Sequence, residues 1–192
     1  MSVAAVILAA GAGTRFNRDD PGASPGAKLL ATARGRPLIE WAIGPALEAQ
    51  LDELVVVSGA LDLSAVVPDD ATLLCNEDWH LGQATSLRVA LDWCARQGHL
   101  AAVIGLGDLP GLTADAWRAV AGARGGPIVF ATYFGRRGHP VRLDAEIWSL
   151  LPTSGDEGAR SLANRRPELV TELACEGTTV DIDTQEDLRR WN

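Results

Sequence analysis

Near the start of the chain stands the sequence Val6-Ile7-Leu8-Ala9-Ala10-Gly11-Ala12-Gly13-Thr14-Arg15-Phe16, in which an apolar run changes abruptly to small residues and then to an arginine. The apolar run predicts a buried strand that ends in a tight loop. Gly11 and Gly13 allow the backbone to curl and to present bare N–H groups to an anion, at positions where a Cβ would stand in the way. Arg15 adds a positive charge with a fork of donors. The stretch therefore predicts a strand that opens onto a phosphate.

Two other nucleotide-binding motifs also place a glycine-containing loop after a strand. Dinucleotide-binding folds also begin with a strand and Gly-x-Gly, but they require a third small residue where this chain has Phe16. The loop also lacks the Gly-Lys-Ser/Thr ending of a P-loop, because Arg15-Phe16-Asn17 stands there. The sequence thus disfavours a dinucleotide-dependent oxidoreductase, and it leaves a plain structural turn as the alternative.

The length and composition are those of an ordinary α/β protein. The 192 residues fit one domain, 1–192, and 47% of them are hydrophobic, with a mean hydropathy of +0.06. No basic leader precedes the first apolar run, and no segment approaches the ~20 apolar residues that cross a bilayer. The sequence therefore predicts a cytoplasmic protein with no membrane partner.

The net charge and the spacing of the cysteines disfavour several further kinds of protein. The formal net charge of −8 would repel nucleic acid and anionic lipid, so no nucleic-acid partner is expected, although small anions can still bind locally. Cys75, Cys94 and Cys175 lie far apart and have none of the paired spacings of a zinc site or a disulfide framework. We expect reduced thiols.

Apolar runs alternate with helical patterns along the chain, which predicts an α/β fold with a doubly wound, mostly parallel sheet. Leu54-Val55-Val56-Val57 is apolar on both faces, as in a central parallel strand covered by helices. Helical spacing follows Pro37, and a later helix is expected to end near Gly98. Such sheets bind ligands at the carboxyl ends of their strands. The predicted strands cover about 3–9, 53–58, 71–75, 100–106, 127–132 and 179–182.

Two acidic motifs follow or form predicted strands. Asp108 in Leu106-Gly107-Asp108-Leu109-Pro110 comes directly after a buried strand, where a hard cation would lie between carboxylate and phosphate oxygens. An ordinary turn or capping aspartate is the alternative. Asp181 and Asp183 alternate with apolar residues and are expected on one face of the last strand. Thr184 is expected to cap the helix that follows.

Two further segments are expected at the same edge of the sheet. Residues 17–27 are rich in Asp, Pro and Gly, which predicts either a lid over a triphosphate or a tolerated surface insertion. Residues 82–86 predict a small, polar helix start whose free N–H groups would bind a phosphate or the edge of a base. Ser86 is the side chain expected to make this contact.

The order of these motifs resembles the signature of the MobA-like nucleotidyltransferases, and in particular their molybdenum cofactor cytidylyltransferase branch. The resemblance extends from residue 3 to about residue 188. It implies a three-layer α/β/α sandwich with a mostly parallel, Rossmann-like sheet of the nucleotide-diphospho-sugar transferase type. Besides the glycine-containing stretch and the two acidic motifs, it rests on Lys28-Leu29-Leu30, Gly35-Arg36-Pro37-Leu38, the pattern Asn-x-x-Trp-x-x-Gly-x-x-x-Ser-Leu over residues 76–87, Gly138-His139-Pro140 and the segment 155–160.

The resemblance implies catalytic and metal-binding residues. Arg15, Lys28 and Asp108 are implied as catalytic. Asp108 and Asp183 are implied to hold Mg²⁺, with Asp181 a less certain partner.

The resemblance also implies residues that bind the two substrates. Gly82, Gln83 and His139 are expected to contact the second substrate, and a structural histidine is the alternative for His139. The expected nucleotide-binding residues are Leu8, Ala9, Ala10, Gly11, Ala12, Gly13, Thr14, Arg15, Lys28 and Ser86.

The resembled branch moves CMP from CTP onto the phosphate of the molybdopterin cofactor and releases pyrophosphate. A phosphate monoester is already anionic at neutral pH, so its attack on the α-phosphorus needs no general base, which fits a chain without an obvious His/Asp or Ser/His pair. GTP is the alternative donor, because Ala10 alone favours the cytidylyl version. The product would pass to a molybdoenzyme by transient contact.

Two other functions stay open on the sequence. The first is a same-fold transferase for another phosphorylated small molecule, such as a sugar phosphate or phospholactate. The second is a non-catalytic nucleotide-binding chaperone that delivers cofactor. Arg15, Lys28, Asp108 and Asp183 argue against the chaperone, because a protein that only binds nucleotide need not keep a metal pair.

Overall fold

The computed structural model describes residues 1–19, 22 and 24–192, in which strands and helices alternate. The strands are β1 (Val3–Leu8), β2 (Thr32–Ala33), β3 (Arg36–Pro37), β4 (Glu53–Ser58), β5 (Thr72–Cys75), β6 (Ala101–Leu106), β7 (Ile128–Tyr133), β8 (Arg136–Asp144) and β9 (Val170–Ala174). The α-helices are α1 (Leu38–Glu48), α2 (Gln83–Gln97), α3 (Ala114–Gly122), α4 (Gly158–Arg165) and α5 (Gln185–Trp191).

Seven strands of the described chain form one sheet in the order β5-β4-β1-β6-β8-β7-β9. Pairing is parallel between β1 and β4, β1 and β6, β4 and β5, and β7 and β9. β8 pairs antiparallel with both β6 and β7 and therefore runs against the other strands of this sheet. The mostly parallel α/β sheet expected from the sequence is confirmed.

Side chains of β1 alternate between the two faces of the sheet, as the period-two geometry of a strand requires. Ala5 and Ile7 belong to an apolar core on one face, which α1 and α3 cover. Val6 and Leu8 belong to a core on the other face, which α2 and α4 cover. The strand is apolar on both sides because both sides are covered. The three-layer α/β/α sandwich is thereby confirmed, with β1 in the middle layer.

A third apolar cluster joins the loop after β1 to the C-terminal helix. Its buried members are Phe16, Ala33, Leu38, Ile182 and Leu188. Phe16 is 4% exposed and Ile182 is fully buried. The aromatic ring therefore stands where dinucleotide-binding folds have a small residue, because this chain packs its loop against a distant segment at that point.

The helix α5 begins with the cap expected at Thr184. Thr184 Oγ1 accepts a hydrogen bond from Asp187 N at 3.1 Å, and Asp187 Oδ2 accepts one from Thr184 N at 2.9 Å. This reciprocal arrangement is a capping box. At the other end, Arg34 N donates to Asn192 Oδ1 at 2.6 Å, and the Arg34 guanidinium lies over the Trp191 ring. The helix is thus attached to the loop between β2 and β3.

The strand predicted over residues 179–182 is wrong. These residues have no regular secondary structure. Thr178 N donates to Gly111 O at 3.3 Å and Ile182 N donates to Asp108 O at 3.1 Å. The segment is therefore held by isolated backbone hydrogen bonds to the loop after β6, and it does not pair with a strand.

Residues 17–27, predicted as a lid or an insertion, include Asp20, Pro21 and Ala23, which lie outside the described residues. The end of this segment returns to the glycine-containing loop, because Gly26 N donates to Ala12 O at 2.8 Å. Elsewhere, α2 ends at Gly98 in the left-handed conformation, as expected. None of the described helices combines the length and apolarity that crossing a bilayer requires.

Candidate active site

The carboxyl ends of β1 and β6 border a cavity of about 710 Å³. Binding sites for small molecules commonly have this size. Every residue expected to bind nucleotide lines the cavity, together with Gly82, Gln83, Asp108 and Asp183. The remaining lining residues are Leu29, Trp79, His80, Leu81, Leu106, Gly107 and Asp156.

The loop after β1 bends at Gly13, whose φ of +65° lies in the left-handed region. A Cβ at this position would lie 3.2 Å from the Cβ of Lys28 and would press on that side chain. At Gly11 a Cβ would meet no atom of the described residues within 4 Å. The fold itself therefore requires glycine at position 13, whereas the space beside Gly11 is open to a ligand.

Lys28 is a buried cation next to this loop. It lies in a single 3-10 turn that follows the left-handed Gly26, and its side chain is 9% exposed. Its Nζ lies 2.6 Å from Asp108 Oδ2 and 3.4 Å from Asp183 Oδ1. A buried charge requires such partners because removing it from water unpaired is costly.

Lys28 is also the only lysine among the 192 residues, whereas the other sixteen basic residues are arginines. An ammonium is a compact charge on a flexible stem, and a guanidinium is a wide planar fork. The enclosed position between two carboxylates suits the compact group. This uniqueness is visible in the sequence and singles out Lys28 without any structure.

The two carboxylates reach Lys28 from different parts of the chain. Gly107 N donates to Leu8 O at 3.0 Å, which extends the pairing of β1 and β6 up to Asp108. The hydrogen bond from Ile182 N to Asp108 O then places Asp183 beside Asp108. Both carboxylates consequently face the same cavity.

Arg15 extends this group of charges toward solvent. Its Nη1 lies 2.5 Å from Asp183 Oδ2, and its side chain is 72% exposed. Because solvent screens the pair, its contribution to stability is on the order of 0–1 kcal/mol. Arg15 can therefore leave Asp183 for another anion at little cost.

Asp108 and Asp183 provide the oxygen ligands that hard divalent cations prefer. Within the described residues, no cluster of three or more His, Cys, Asp or Glu side chains is arranged to hold a metal ion. Mg²⁺ characteristically binds one or two carboxylates and completes its shell with water and substrate phosphate oxygens. The pair thus fits a cation that arrives with a nucleotide and does not form a complete metal cage.

The helix α2 begins at the cavity, but the N–H groups expected to be free there are occupied. Gln83 N donates to Asp156 Oδ1 at 3.2 Å, and Ala84 N donates to Gly155 O at 2.9 Å. The prediction of a free helix start is wrong because residues 155–156 satisfy these groups. Gly82 has a packing role, since a Cβ there would lie 2.6 Å from the backbone of Gly155.

Ser86 lines the cavity from the first turn of α2. Its Oγ accepts a hydrogen bond from Asn76 Nδ2 at 2.9 Å, and the same amide donates to Thr85 Oγ1 at 2.8 Å. Since Ser86 Oγ already accepts, its O–H remains available to donate to a ligand. Neither Asn76 nor Thr85 is among the site residues predicted from the sequence, although Asn76 is a fixed position of the motif over residues 76–87.

A second cavity, of about 620 Å³, adjoins the first. His139, at the start of β8, lies in its wall, and Asp181 lines it as well. The two cavities meet beside Asp108, because both are lined by Leu8, Arg15, Gln83, Leu106, Asp108 and Asp156.

The ring of His139 is oriented by one backbone contact. Nδ1 lies 3.1 Å from Ile104 O. Burial lowers the pKa of His139, while the hydrogen bond to Ile104 and the charge of Asp108 oppose this change. This lowering favours the neutral form of the ring.

Comparison with known proteins adds to these observations. Residues 5–170 match the model of a family described as the MobA-like NTP transferase domain. The nicotine blue oxidoreductase of Paenarthrobacter nicotinovorans is 33% identical over 98% of this chain and 95% of its own length.

Solved structures share the fold. Rv0371c from Mycobacterium tuberculosis H37Rv has a TM-score of 0.82 at 29% identity, over 100% of this chain and 97% of that one. The same protein in complex with manganese gives 0.77 at 26% identity, over 100% and 98% of the two chains. The inositol-1-phosphate CTP transferase from T. maritima gives 0.76 at 16% identity, over 98% and 93%, and shows a likeness of fold alone.

Proposed function

The chain belongs to the MobA-like NTP transferase domain family, and from this premise we propose that it moves CMP from CTP onto the phosphate of the molybdopterin cofactor and releases pyrophosphate. The observation that supports this most is the position of Lys28. Its buried ammonium lies between Asp108 and Asp183, in the cavity bordered by the glycine-containing loop. A phosphate-binding loop, a cation and two oxygen ligands are the parts that phosphoryl transfer requires.

In this reaction an oxygen of the acceptor phosphate forms a bond to the α-phosphorus of CTP. The bond from that phosphorus to the oxygen shared with the β-phosphate breaks, and pyrophosphate leaves with the electron pair. No proton has to be removed from the acceptor, because its phosphate is already ionised at neutral pH. The protein therefore acts by bringing the anions together and by stabilising their charge.

The glycine-containing loop and the charged residues around Lys28 share that task. The backbone N–H groups of residues 11–14 would bind the triphosphate, and Arg15 and Lys28 would neutralise it. Asp108 and Asp183 would hold Mg²⁺, which when bound supplies positive charge to the phosphate oxygens. A divalent cation on the two carboxylates would also release Lys28 and Arg15 to contact phosphate.

Support for the nucleotide, the metal and the acceptor comes from different sources. The manganese complex of Rv0371c supports a divalent cation, and Mg²⁺ is our proposal for it. The proposal of CTP over GTP rests on Ala10, and that of molybdopterin rests on the motifs over residues 76–87, 138–140 and 155–160. Delivery of the product to a molybdoenzyme in the cytoplasm completes the proposal.

One comparison favours a second candidate, an oxidoreductase. The relative from P. nicotinovorans, which matches nearly the whole chain, is named for the oxidation or reduction of nicotine blue. Phe16 and the charged cluster around Lys28 favour nucleotidyl transfer for this chain, because hydride transfer does not require two carboxylates beside a buried lysine.

The test is a pyrophosphate-release assay with the purified protein. CTP, GTP and Mg²⁺ are supplied with molybdopterin, with glucose 1-phosphate or without acceptor, and nicotinamide cofactor turnover with nicotine blue is measured in parallel. We expect pyrophosphate release that requires CTP, Mg²⁺ and molybdopterin together. Release with GTP or with glucose 1-phosphate alone would move the assignment to another transferase, and nucleotide binding without release would favour the chaperone.

A further inference from the structure

We propose that Asn76 is a positioning residue for recognition of the nucleotide base: its side-chain amide makes the hydroxyl of Ser86 a fixed hydrogen-bond donor, and this donor selects cytosine over uracil. The inference rests on the proposed function and adds to it the pair of side chains that discriminates between the two pyrimidines. Asn76 lies directly after β5, and Ser86 lies in the first turn of α2, in the wall of the first cavity.

A backbone group fixes the orientation of the Asn76 amide. Asp78 N donates to Asn76 Oδ1 at 3.0 Å, and a backbone N–H can only donate, so the amide oxygen lies on this side. Nδ2 then faces α2, where its two hydrogens go to Ser86 Oγ at 2.9 Å and to Thr85 Oγ1 at 2.8 Å. The reverse orientation would bring two N–H groups together at Asp78. Because Asn76 is only 3% exposed, its amide has little access to water in place of these partners.

The same contacts determine which way the hydroxyl of Ser86 bonds. Ser86 Oγ accepts from Asn76 and keeps its own proton for another partner. Thr85 uses its proton within the protein, since Oγ1 donates to Gly82 O at 2.8 Å and to Asp78 O at 3.1 Å. Ser86 Oγ, by contrast, donates to no acceptor in the part of the chain that the structure describes. Its O–H is therefore left to a ligand in the cavity.

Ser86 faces a part of the cavity that suits a base better than a phosphate. Residues 79–83 and Ser86 line the cavity from the start of α2, and they include no lysine or arginine. The carboxylate of Asp156, which accepts from the first N–H of α2, adds a negative charge there. Lys28 and Arg15 instead attract phosphates to the glycine-containing loop. A bound nucleotide would consequently place its base near Ser86.

A close contact at Gly59 connects this part of the cavity to Ala10, the residue on which the proposal of CTP rests. A Cβ at Gly59 would lie 2.7 Å from the Cβ atoms of both Ala10 and Trp79, so the absence of a side chain there lets the two residues lie close together. Both line the cavity. Ala10 is thus adjacent to the segment that leads into α2 and to Ser86.

A fixed donor distinguishes cytosine from uracil, although the two rings have the same size. Cytosine presents N3 as an acceptor, whereas uracil presents N3–H, a donor, at the same position. The O–H of Ser86 can pair with cytosine N3. To accept from uracil, Ser86 would have to turn its proton to a place where the described residues offer no acceptor, and an unpaired buried donor is costly. The arrangement therefore favours CTP over UTP.

The test measures binding of CTP and of UTP by calorimetry, with Mg²⁺ and without a phosphate acceptor. We expect the native protein to bind CTP about tenfold or more tightly than UTP, because of the cost of the unpaired donor. In Asn76→Asp, a carboxylate oxygen accepts the proton of Ser86, whose oxygen then accepts from the ligand. This variant should bind UTP at least as tightly as CTP. Its added charge weakens both nucleotides alike and cancels in the ratio of affinities.

Two further variants separate positioning from a purely structural role. Thr85→Val removes the other acceptor of the amide and keeps the contact between Asn76 and Ser86, so the preference for CTP should stay within about threefold of the native value. Ser86→Ala removes the donor, and the two nucleotides should then bind within about threefold of each other. Asn76→Asp added to Ser86→Ala should not change this ratio, because Asn76 acts through Ser86. A purely structural Asn76 would affect both nucleotides equally in every variant.

Three results would overturn the inference: equal binding of CTP and UTP by the native protein, a native preference in Asn76→Asp, or a native preference in Ser86→Ala. The first and third decide the matter even if Asn76→Asp does not fold. Failure of the proposed function gives a different result, since CTP would then be preferred over UTP without release of pyrophosphate in the presence of molybdopterin. The two failures are therefore distinguishable.

Discussion

The ammonium of Lys28 lies 2.6 Å from the carboxylate of Asp108, although 80 residues separate them in the sequence. The contact joins the segment after the glycine-containing loop to the end of β6, with Asp183 as a second partner at 3.4 Å. Charges in such an enclosed group depend on one another, because removal of one leaves its partners uncompensated.

Removal of the charge at Lys28 should abolish most of the activity. We expect Lys28→Met to lower kcat for pyrophosphate release on the order of 10²-fold, because a fixed cation no longer stabilises the departing charge. Lys28→Arg should rescue little, since the planar fork does not fit between the two carboxylates. The control is Arg124→Met, which removes an exposed cation elsewhere. Full activity in Lys28→Met would exclude the proposed mechanism.

Loss of either carboxylate should change the response to metal. Asp108→Asn and Asp183→Asn are each expected to raise the Mg²⁺ concentration needed for half-maximal rate by roughly tenfold or more, because the amide oxygen is a weaker ligand for a hard cation. CTP binding without Mg²⁺ should not weaken, since a negative charge next to the phosphates has been removed. Asp115→Asn, at an exposed pair with Arg118, serves as the control. An unchanged Mg²⁺ requirement in both variants would show that Asp108 and Asp183 do not bind the metal ion.

Glu53, the first residue of β4, should make the stability of the protein depend on pH. Burial acts to raise its pKa, but hydrogen bonds from Thr72, His99 and Trp93 outweigh burial and lower the pKa of Glu53 below its ordinary value of 4.5. The stabilisation is therefore complete above the ordinary value and is lost as pH falls through the lower, folded-state pKa.

Thermal unfolding over a series of pH values checks this prediction. Glu53→Gln should lower Tm at neutral pH and should lose less stability than the native protein as pH falls below about 4.5. Parallel Tm curves for the two proteins in acid would show that Glu53 does not contribute to the acid sensitivity.

Substitution of Phe134 should stabilise the protein. Phe134 and Gly135 connect β7 to β8 with φ of +51° and +76°, and the Phe134 side chain is fully exposed. Left-handed backbone is unfavourable for a bulky residue, and Asn-Gly is preferred in such hairpin turns. We expect Phe134→Asn to raise the free energy of unfolding in urea by about 1 kcal/mol. Gly135→Ala should lower it, and a less stable Phe134→Asn protein would contradict the prediction.

The central strands could be predicted because helices cover both of their faces. β1, β4 and β6 appear in the sequence as uninterrupted apolar runs. β8 contains four charged residues, a glycine and a proline, and the partly buried β9 lies at the edge of the sheet. Neither has the apolar run of a central strand, so both were missing from the predicted set.

The relation between Asp108 and Asp183 could not be obtained from local pattern. Acidic and apolar residues alternate over 181–183, and this pattern predicts a strand. In the structure Ile182 is instead buried in the third apolar cluster, and its N–H donates a hydrogen bond to Asp108 O. This contact is tertiary and has no local signal. Lys28, in contrast, is marked in the sequence by its uniqueness among sixteen arginines.

The hydrogen bond between Ile182 N and Asp108 O also determines when the two carboxylates can come together during synthesis of the chain. On the ribosome, β1, the glycine-containing loop, Lys28 and β6 are made long before Asp183. A nascent chain can pair Lys28 with Asp108 alone, so it has half of the acidic pair. The proposed binding of a divalent ion between the two carboxylates therefore becomes possible only after residue 183 has been synthesised.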